Sequence, residues 1–125
     1  NTPDVKIITV EDPIEYQIEG INQIQAKPQI GLDFAQALRS IVRQDPDIIR
    51  IGEMRDLETC KIAIQSALTG HFALSSLHGS DSVAALHRFL DMGIVAFLSA
   101  SSVGGVIGQR LADGQAGIDL QRRVQ

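Results

Sequence analysis

The chain has 125 residues, 44% hydrophobic and 21% charged, which suits one domain with a buried core. A formal net charge of −4, 4% aromatics and no tryptophan argue against a general phosphate-backbone binder and supply base stacking poorly, so no nucleic-acid partner is expected. The single cysteine, Cys60, permits neither an internal disulfide nor a cysteine-rich zinc site, and reads as a small core residue. No window approaches about eighteen unbroken apolar residues and no signal peptide opens the chain, so a soluble intracellular protein is expected.

Asn1-Thr2-Pro3-Asp4 lacks an initiator methionine and runs quickly into a strand, so the start reads as a cut from a longer protein. Residues 5–10 (VKIITV) form a mostly apolar strand, consistent with burial on both faces. Residues 14–26 alternate isoleucine with polar residues around a turn at Gly20, the pattern of a half-exposed hairpin. Asp33 caps a helix with Phe34, Leu38, Ile41 and Val42 on one face, which must stop before Pro46. Residues 48–51 (IIRI) form a buried strand that delivers Gly52-Glu53 at its carboxyl end.

Asp56 caps the next helix, where Leu57, Cys60, Ile64, Ala67 and Leu68 repeat at helical spacing and Gly70 closes it. Residues 71–77 return to strand. Ser80 caps a helix over 81–92 with Val83, Leu86 and Leu90 facing inward, and residues 97–111 form a last helix loosened by Gly104, Gly105 and Gly108. About the last dozen residues read as a loose polar tail. Strands alternating with helices predict an α/β fold with a largely parallel sheet.

Ligands in such sheets bind beyond the carboxyl ends of the strands. That rule puts Glu53, His71 and His78 on one useful edge and makes a nucleotide-hydrolysing site the leading idea. Glu11, Asp12 and Glu15 crowd three carboxylates into a short turn stiffened by Pro13, which suggests magnesium binding or general-base work, against a solvated acidic turn. Glu53, following an apolar strand, resembles the second acid of a Walker B strand, with Gly52 where an aspartate is usual. Arg39 and Arg43 are four apart on one helix face, so they suit a transferring phosphate or simple pairing with nearby aspartates. A two-histidine metal site at His71 and His78 is the sharper alternative, and no Cys or helical His partner stands near them. His87 reads as an ordinary surface residue.

Three segments in fixed order carry a resemblance: ITVEDPIEYQ at 8–17, LRSIVRQDPDIIRIGEMRDLET at 38–59 and LTGHFALSSLHGSD at 68–81. They resemble the Asp box, Walker B and His box of the secretion ATPases that serve type II secretion, type IV pilus assembly and pilus retraction. LDMGI at 90–94 followed by SSVGGVIGQRL is more similar to the assembly and secretion branch, and RDLET fits the type IV secretion and Tad-type ATPases less well. The resemblance implies a partial RecA-like P-loop NTPase core over residues 1–111, with carboxy-terminal helices and a tail over 112–125.

The same resemblance implies ATP and Mg²⁺ as cofactors, a hexamer of identical subunits, and an inner-membrane platform protein as partner. Location would be cytoplasmic, peripheral at the inner face of the bacterial membrane. Glu15 would activate the attacking water, and Glu53 would hold magnesium, through water, and orient that nucleophile. His71 and His78 would link the γ-phosphate region to the Walker B strand and the neighbouring domain. Arg39 and Arg43 would contact nucleotide across a subunit boundary, and Arg55 would be a structural partner of nearby acids. Two departures stand out. The 125 residues contain no G-x-x-x-x-G-K-[ST] loop, and the four-cysteine zinc module of many secretion-branch members is absent. Gly79 stands where a threonine is common. The expected function is therefore an ATP-hydrolysing motor subunit seen without its phosphate loop, and this chain alone is expected to be inactive. A non-catalytic homologue acting only in assembly is the alternative, and a metal hydrolase is a third.

Overall fold

The computed structural model describes residues 1–95 and 100–109, and the chain divides into two units, Asn1–Leu77 and His78–Gln125. The first unit runs β1 (Ile7–Glu11), β2 (Asn22–Gln25), a 3-10 turn (Pro28–Ile30), α1 (Phe34–Val42), β3 (Ile48–Ile51), α2 (Leu57–Leu68) and β4 (Phe72–Ser75). The four strands form one all-parallel sheet in the order β2-β1-β3-β4. This is the parallel α/β arrangement that the alternation of elements predicts.

Period-2 geometry sorts the two faces of that sheet. Ile8, Val10, Ile49 and Ile51 point one way and close a core with Phe34, Ala37, Leu38 and Ile41 of α1 and Ala63 of α2. Asp33 starts α1 by accepting a hydrogen bond from the Gln36 amide at 2.8 Å, and α1 ends before Pro46. Asp56 starts α2 by accepting from the Thr59 amide at 2.8 Å and the Thr59 hydroxyl at 2.9 Å. Gly70, at φ 104, turns the chain out of α2 into β4. Cys60 is fully buried, and burial, then the nearby Asp56 charge, pushes its thiol up to about 11. Leu68, expected on the inner stripe of α2, is exposed because the buried line runs through Cys60, Ala63 and Ile64 instead.

The hairpin expected over residues 14–26 does not form. Only Asn22–Gln25 is strand, and it pairs parallel to β1 with Thr9 opposite Gln23. Tyr16 and Ile18 are exposed, so their alternation does not record a buried face. Pro13, lacking an amide donor, stops the ladder just past β1, and the chain crosses back over Gly20 at φ 79 before pairing. The parallel register is locked by a buried acid. Glu11 Oε1 accepts from the Thr9 hydroxyl at 2.6 Å and Gln23 Nε2 at 3.0 Å, and its Oε2 faces Arg50 Nη1 at 3.0 Å. The second face of β1 is thus buried, as expected, but by a polar network rather than apolar contacts.

In the second unit, α3 (Ser82–Asp91) is capped by Asp81, whose side chain accepts from the Ala84 amide at 2.8 Å. The cap falls one residue beyond Ser80. Ala85 and Phe89 are its buried positions, whereas Val83 and Leu90, expected to face inward, are exposed and Leu86 is half-buried. Of the helix expected over 97–111, residues 100–102 are helical and 103–109 are not, in keeping with the helix-weakening pair Gly104-Gly105. Residues 97–99 and 110–111, and the tail over 112–125, lie outside the described residues.

Two stability predictions follow from this packing. Asp56→Ala removes the cap of α2 and should lower unfolding stability by about 1 kcal/mol, and Leu38→Ala by about 2–5 kcal/mol, both read from denaturant midpoints of the full chain. Glu11 supplies a pH signature. Burial pushes its carboxyl up, but the hydrogen bonds from Thr9 and Gln23 and the Arg50 charge outweigh this and hold it below the ordinary 4.5. Its contribution is therefore complete above that ordinary value and is lost as pH falls through the lower folded value. The stability gap between wild type and Glu11→Gln should be widest near neutrality and close as pH drops below 4.5; a gap independent of pH would contradict the assignment.

Candidate functional site

Parallel pairing brings the carboxyl ends of all four strands to one edge. There the chain past β3 is stitched on both sides. The Gly52 amide donates to the Val10 carbonyl at 2.7 Å, Ser76 Oγ donates to the Gly52 carbonyl at 2.6 Å, and the Met54 amide donates to the Ser76 carbonyl at 3.1 Å. A Cβ on residue 52 would sit 3.2 Å from the Val10 carbonyl oxygen and 3.3 Å from Glu11 Cα. Those contacts are tighter than ordinary van der Waals packing, so a side chain at this position would require the end of β1 to give by a few tenths of an ångström. The close approach sets Glu53 beside the turn that follows β1.

Glu53 is mostly buried, with 15% of its side chain exposed, and contacts the Arg55 guanidinium. The hydrogen bond and charge of Glu53, with Asp12 adding, hold Arg55 above its ordinary basicity. Arg55 thus pairs with a nearby acid, as the sequence suggests. The acidic turn differs from expectation. Glu11 is withdrawn into the Arg50, Thr9 and Gln23 network, so of the three crowded carboxylates only Asp12 and Glu15 remain exposed.

Among the described residues no three His, Cys, Asp or Glu side chains converge to hold a metal. The donor chemistry at this edge suits a magnesium ion, which needs one or two carboxylates and otherwise keeps water and phosphate oxygens; Glu53 and Asp12 are the side chains that meet that description.

Other candidates are distributed differently. Arg39 is ion-paired with Glu58 of α2 and also reaches Gln36 Oε1 at 3.4 Å. Arg43 is the exposed C-cap of α1, and no ion pair engages it among the described residues. It adjoins Gln44 and Asp47, which bond Lys6 at the amino end of β1. His71 also lies at the amino edge, just before β4, with Nδ1 3.0 Å from the Ser66 carbonyl and 3.2 Å from the Thr69 hydroxyl. A carbonyl partner requires the proton on Nδ1, which leaves Nε2 for a ligand.

The expectation that Glu53 and both imidazoles share the carboxyl edge is therefore corrected for His71. A strand of four residues, at about 3.3 Å each, separates them. His78 is exposed and opens the second unit. Sequence reading missed Arg50 and Gln23. A lone charge inside the apolar run IIRI was the available signal for Arg50; Gln23 becomes visible only through its register with Thr9.

Residues 1–118 match the family described as "Type II/IV secretion system protein". The "Type II secretion system protein E" of Xanthomonas campestris pv. campestris is 72% identical over 111 residues, covering 89% of this chain and 20% of that protein. The "Type IV pilus assembly ATPase PilB" of Pseudomonas aeruginosa is 54% identical over 112 residues, 90% of this chain and 20% of that protein. The chain thus spans about a fifth of the length of the curated relatives it matches. Among solved structures, the "Pilus Retraction Motor PilT and Bound ADP" superposes with a TM-score of 0.74 at 38% identity, covering 85% of this chain and 34% of that one. The shared parallel sheet and flanking helices are those of the RecA-like ATPase fold. With the match running over nearly the whole sequence, the chain belongs to the Type II/IV secretion system protein family.

Proposed function

We propose that this chain is the part of a secretion or pilus-assembly ATPase that brings catalytic carboxylates to a magnesium-bound ATP. The observation that supports this reading is the stitched carboxyl edge, where Gly52 is bonded to Val10 and packed against Glu11, at the start of the turn that carries Asp12 and Glu15. The relative named as a pilus assembly ATPase supports it. The phosphate-cradling loop and its lysine, which provide most nucleotide affinity in P-loop enzymes, would come from protein outside these 125 residues. Hydrolysis would power a hexamer at the cytoplasmic face of the inner membrane, acting on a platform protein in type II secretion or pilus assembly. No described helix is long and apolar enough to cross a membrane.

Each residue then has a task. Glu15, exposed on the turn, accepts a proton from the water that attacks the γ-phosphorus while the bond to the ADP oxygen breaks. Glu53 would orient that water and help to hold magnesium, giving up its contact with Arg55 to do so. Magnesium, when bound, neutralises charge building on the phosphate oxygens. His78, which opens the second unit, would link the γ-phosphate region to the neighbouring domain, as the resemblance implies. Arg43 and His71 stand at the opposite edge from Glu53, so they serve a nucleotide or domain of a neighbouring subunit rather than the chain's own. Arg39 joins them only by releasing Glu58.

The test uses the longer protein in which this domain follows its phosphate-binding loop. Glu15→Gln should cut kcat by about 10²–10⁴-fold, the usual span for a general base, with ATP affinity retained. Glu53→Gln should slow turnover and raise the Mg²⁺ concentration needed. Arg43→Ala should lower activity, and mixing it with Glu15→Gln subunits should restore part of it, because each defect lies in a different subunit's site. Full activity in Glu15→Gln would remove the catalytic reading. An assembling protein with no turnover at all would identify the assembly-only alternative.

A further inference from the structure

We infer that Gln23 is a positioning residue for Glu15, its carboxamide latching the turn that carries this acid onto the sheet. The inference deepens the proposed general-base reading and rests on it. Glu15 sits between two points that the same side chain holds. Gln23 Nε2 donates to Glu11 Oε1 at 3.0 Å on one side of the turn and to the Tyr16 carbonyl at 2.8 Å on the other. Its Oε1 accepts from the Ile18 amide at 2.7 Å. All three bonds need an amide, since one end must donate twice while the other accepts.

Beyond that side chain the turn is held sparsely. Tyr16 is 81% exposed and Ile18 51%, and of the apolar side chains over residues 14–18 Ile14 alone is half-buried. Every hydrogen bond described from residues 12–18 to a strand runs through Gln23. The latch is anchored in turn at its far end. Glu11, 8% exposed, is fixed by Thr9 and Arg50, and β2 is held in register by the Ala26 amide donating to the Glu11 carbonyl at 2.8 Å. Arg50, Glu11 and Gln23 thus form a chain from the middle of β3 to the residue next to Glu15. A general base must be held to a fraction of an ångström, and a displacement of about 1 Å can cost on the order of 10²-fold in rate.

The experiment is a double-mutant cycle in the longer, loop-bearing protein, comparing Gln23→Glu and Gln23→Met in wild-type and Glu15→Gln backgrounds. Gln23→Glu keeps the acceptor for Ile18 but loses both donors and sets a second carboxylate against Glu11; Gln23→Met removes all three bonds without charge. In the wild-type background both should lower kcat about tenfold or more, with KM for ATP changed by less than about twofold. In the Glu15→Gln background, with the residual rate read in single turnovers, either substitution should change it by less than about twofold, because the group being positioned is already gone.

An equal loss in both backgrounds would overturn the inference, since Gln23 would then act without Glu15. So would wild-type kcat in a folded Gln23→Met protein, or loss of the fold in both variants, which would make the latch a determinant of folding. These outcomes separate from failure of the underlying reading: a fully active Glu15→Gln protein overturns the general base itself.

Discussion

The constraint on which the rest of this molecule depends is the close parallel approach of β1 and β3 at Gly52. Parallel strands share one carboxyl edge, so whatever follows each strand is delivered to the same side of the sheet. At Gly52 the backbone of β3 comes so near Val10 and Glu11 that any side chain would meet main-chain atoms. That intimacy makes Glu53 a neighbour of the acidic turn instead of a residue on a separate loop. The core beneath, with Ile8, Val10, Ile49 and Ile51 against α1, holds the two strands in that register.

The other face of the sheet is organised by charge. A carboxylate as buried as Glu11 costs several kcal/mol in lost hydration unless its oxygens are satisfied. Here Thr9, Gln23 and Arg50 supply that satisfaction from three strands. Replacing the set with apolar side chains could stabilise the sheet equally well. A directional network does something that apolar packing does not: it fixes which residue of β2 lies beside Thr9, and so where the loop before β2 must run.

The candidate residues divide between the two edges of the sheet. Asp12 and Glu53 belong to the carboxyl edge and the turn bearing Glu15 leaves from it, whereas Arg43 and His71 lie at the amino edge. A single-site reading, in which all surround one phosphate group, is incompatible with parallel strands of this length. The hexamer proposed above would use both edges, one for the subunit's own nucleotide and the other for its neighbour's.

Local chemistry was legible from the residues alone. Asp33 and Asp56 cap the helices they precede, α1 ends before Pro46, and Gly70 turns the chain, because each effect is decided within a few residues. The ordered Asp box, Walker B and His box segments likewise identified the family and the parallel fold. Where the sequence misled, the deciding contacts were distant. The alternation over 14–26 suggested a hairpin, yet Glu11 and Gln23 draw β2 into parallel pairing across the sheet. His71 follows Gly70 in an apolar run, and only strand direction tells that it stands at the far edge from Glu53. Arg50 looked like an oddity in IIRI until register set it beside Thr9 and within reach of Glu11. The sequence by itself determined the family, the helix ends and the identity of the acids. The tertiary structure alone decided which of them is buried, which edge each occupies and what holds the turn of Glu15, because pairing register and the cost of burying charge act between residues far apart in the chain.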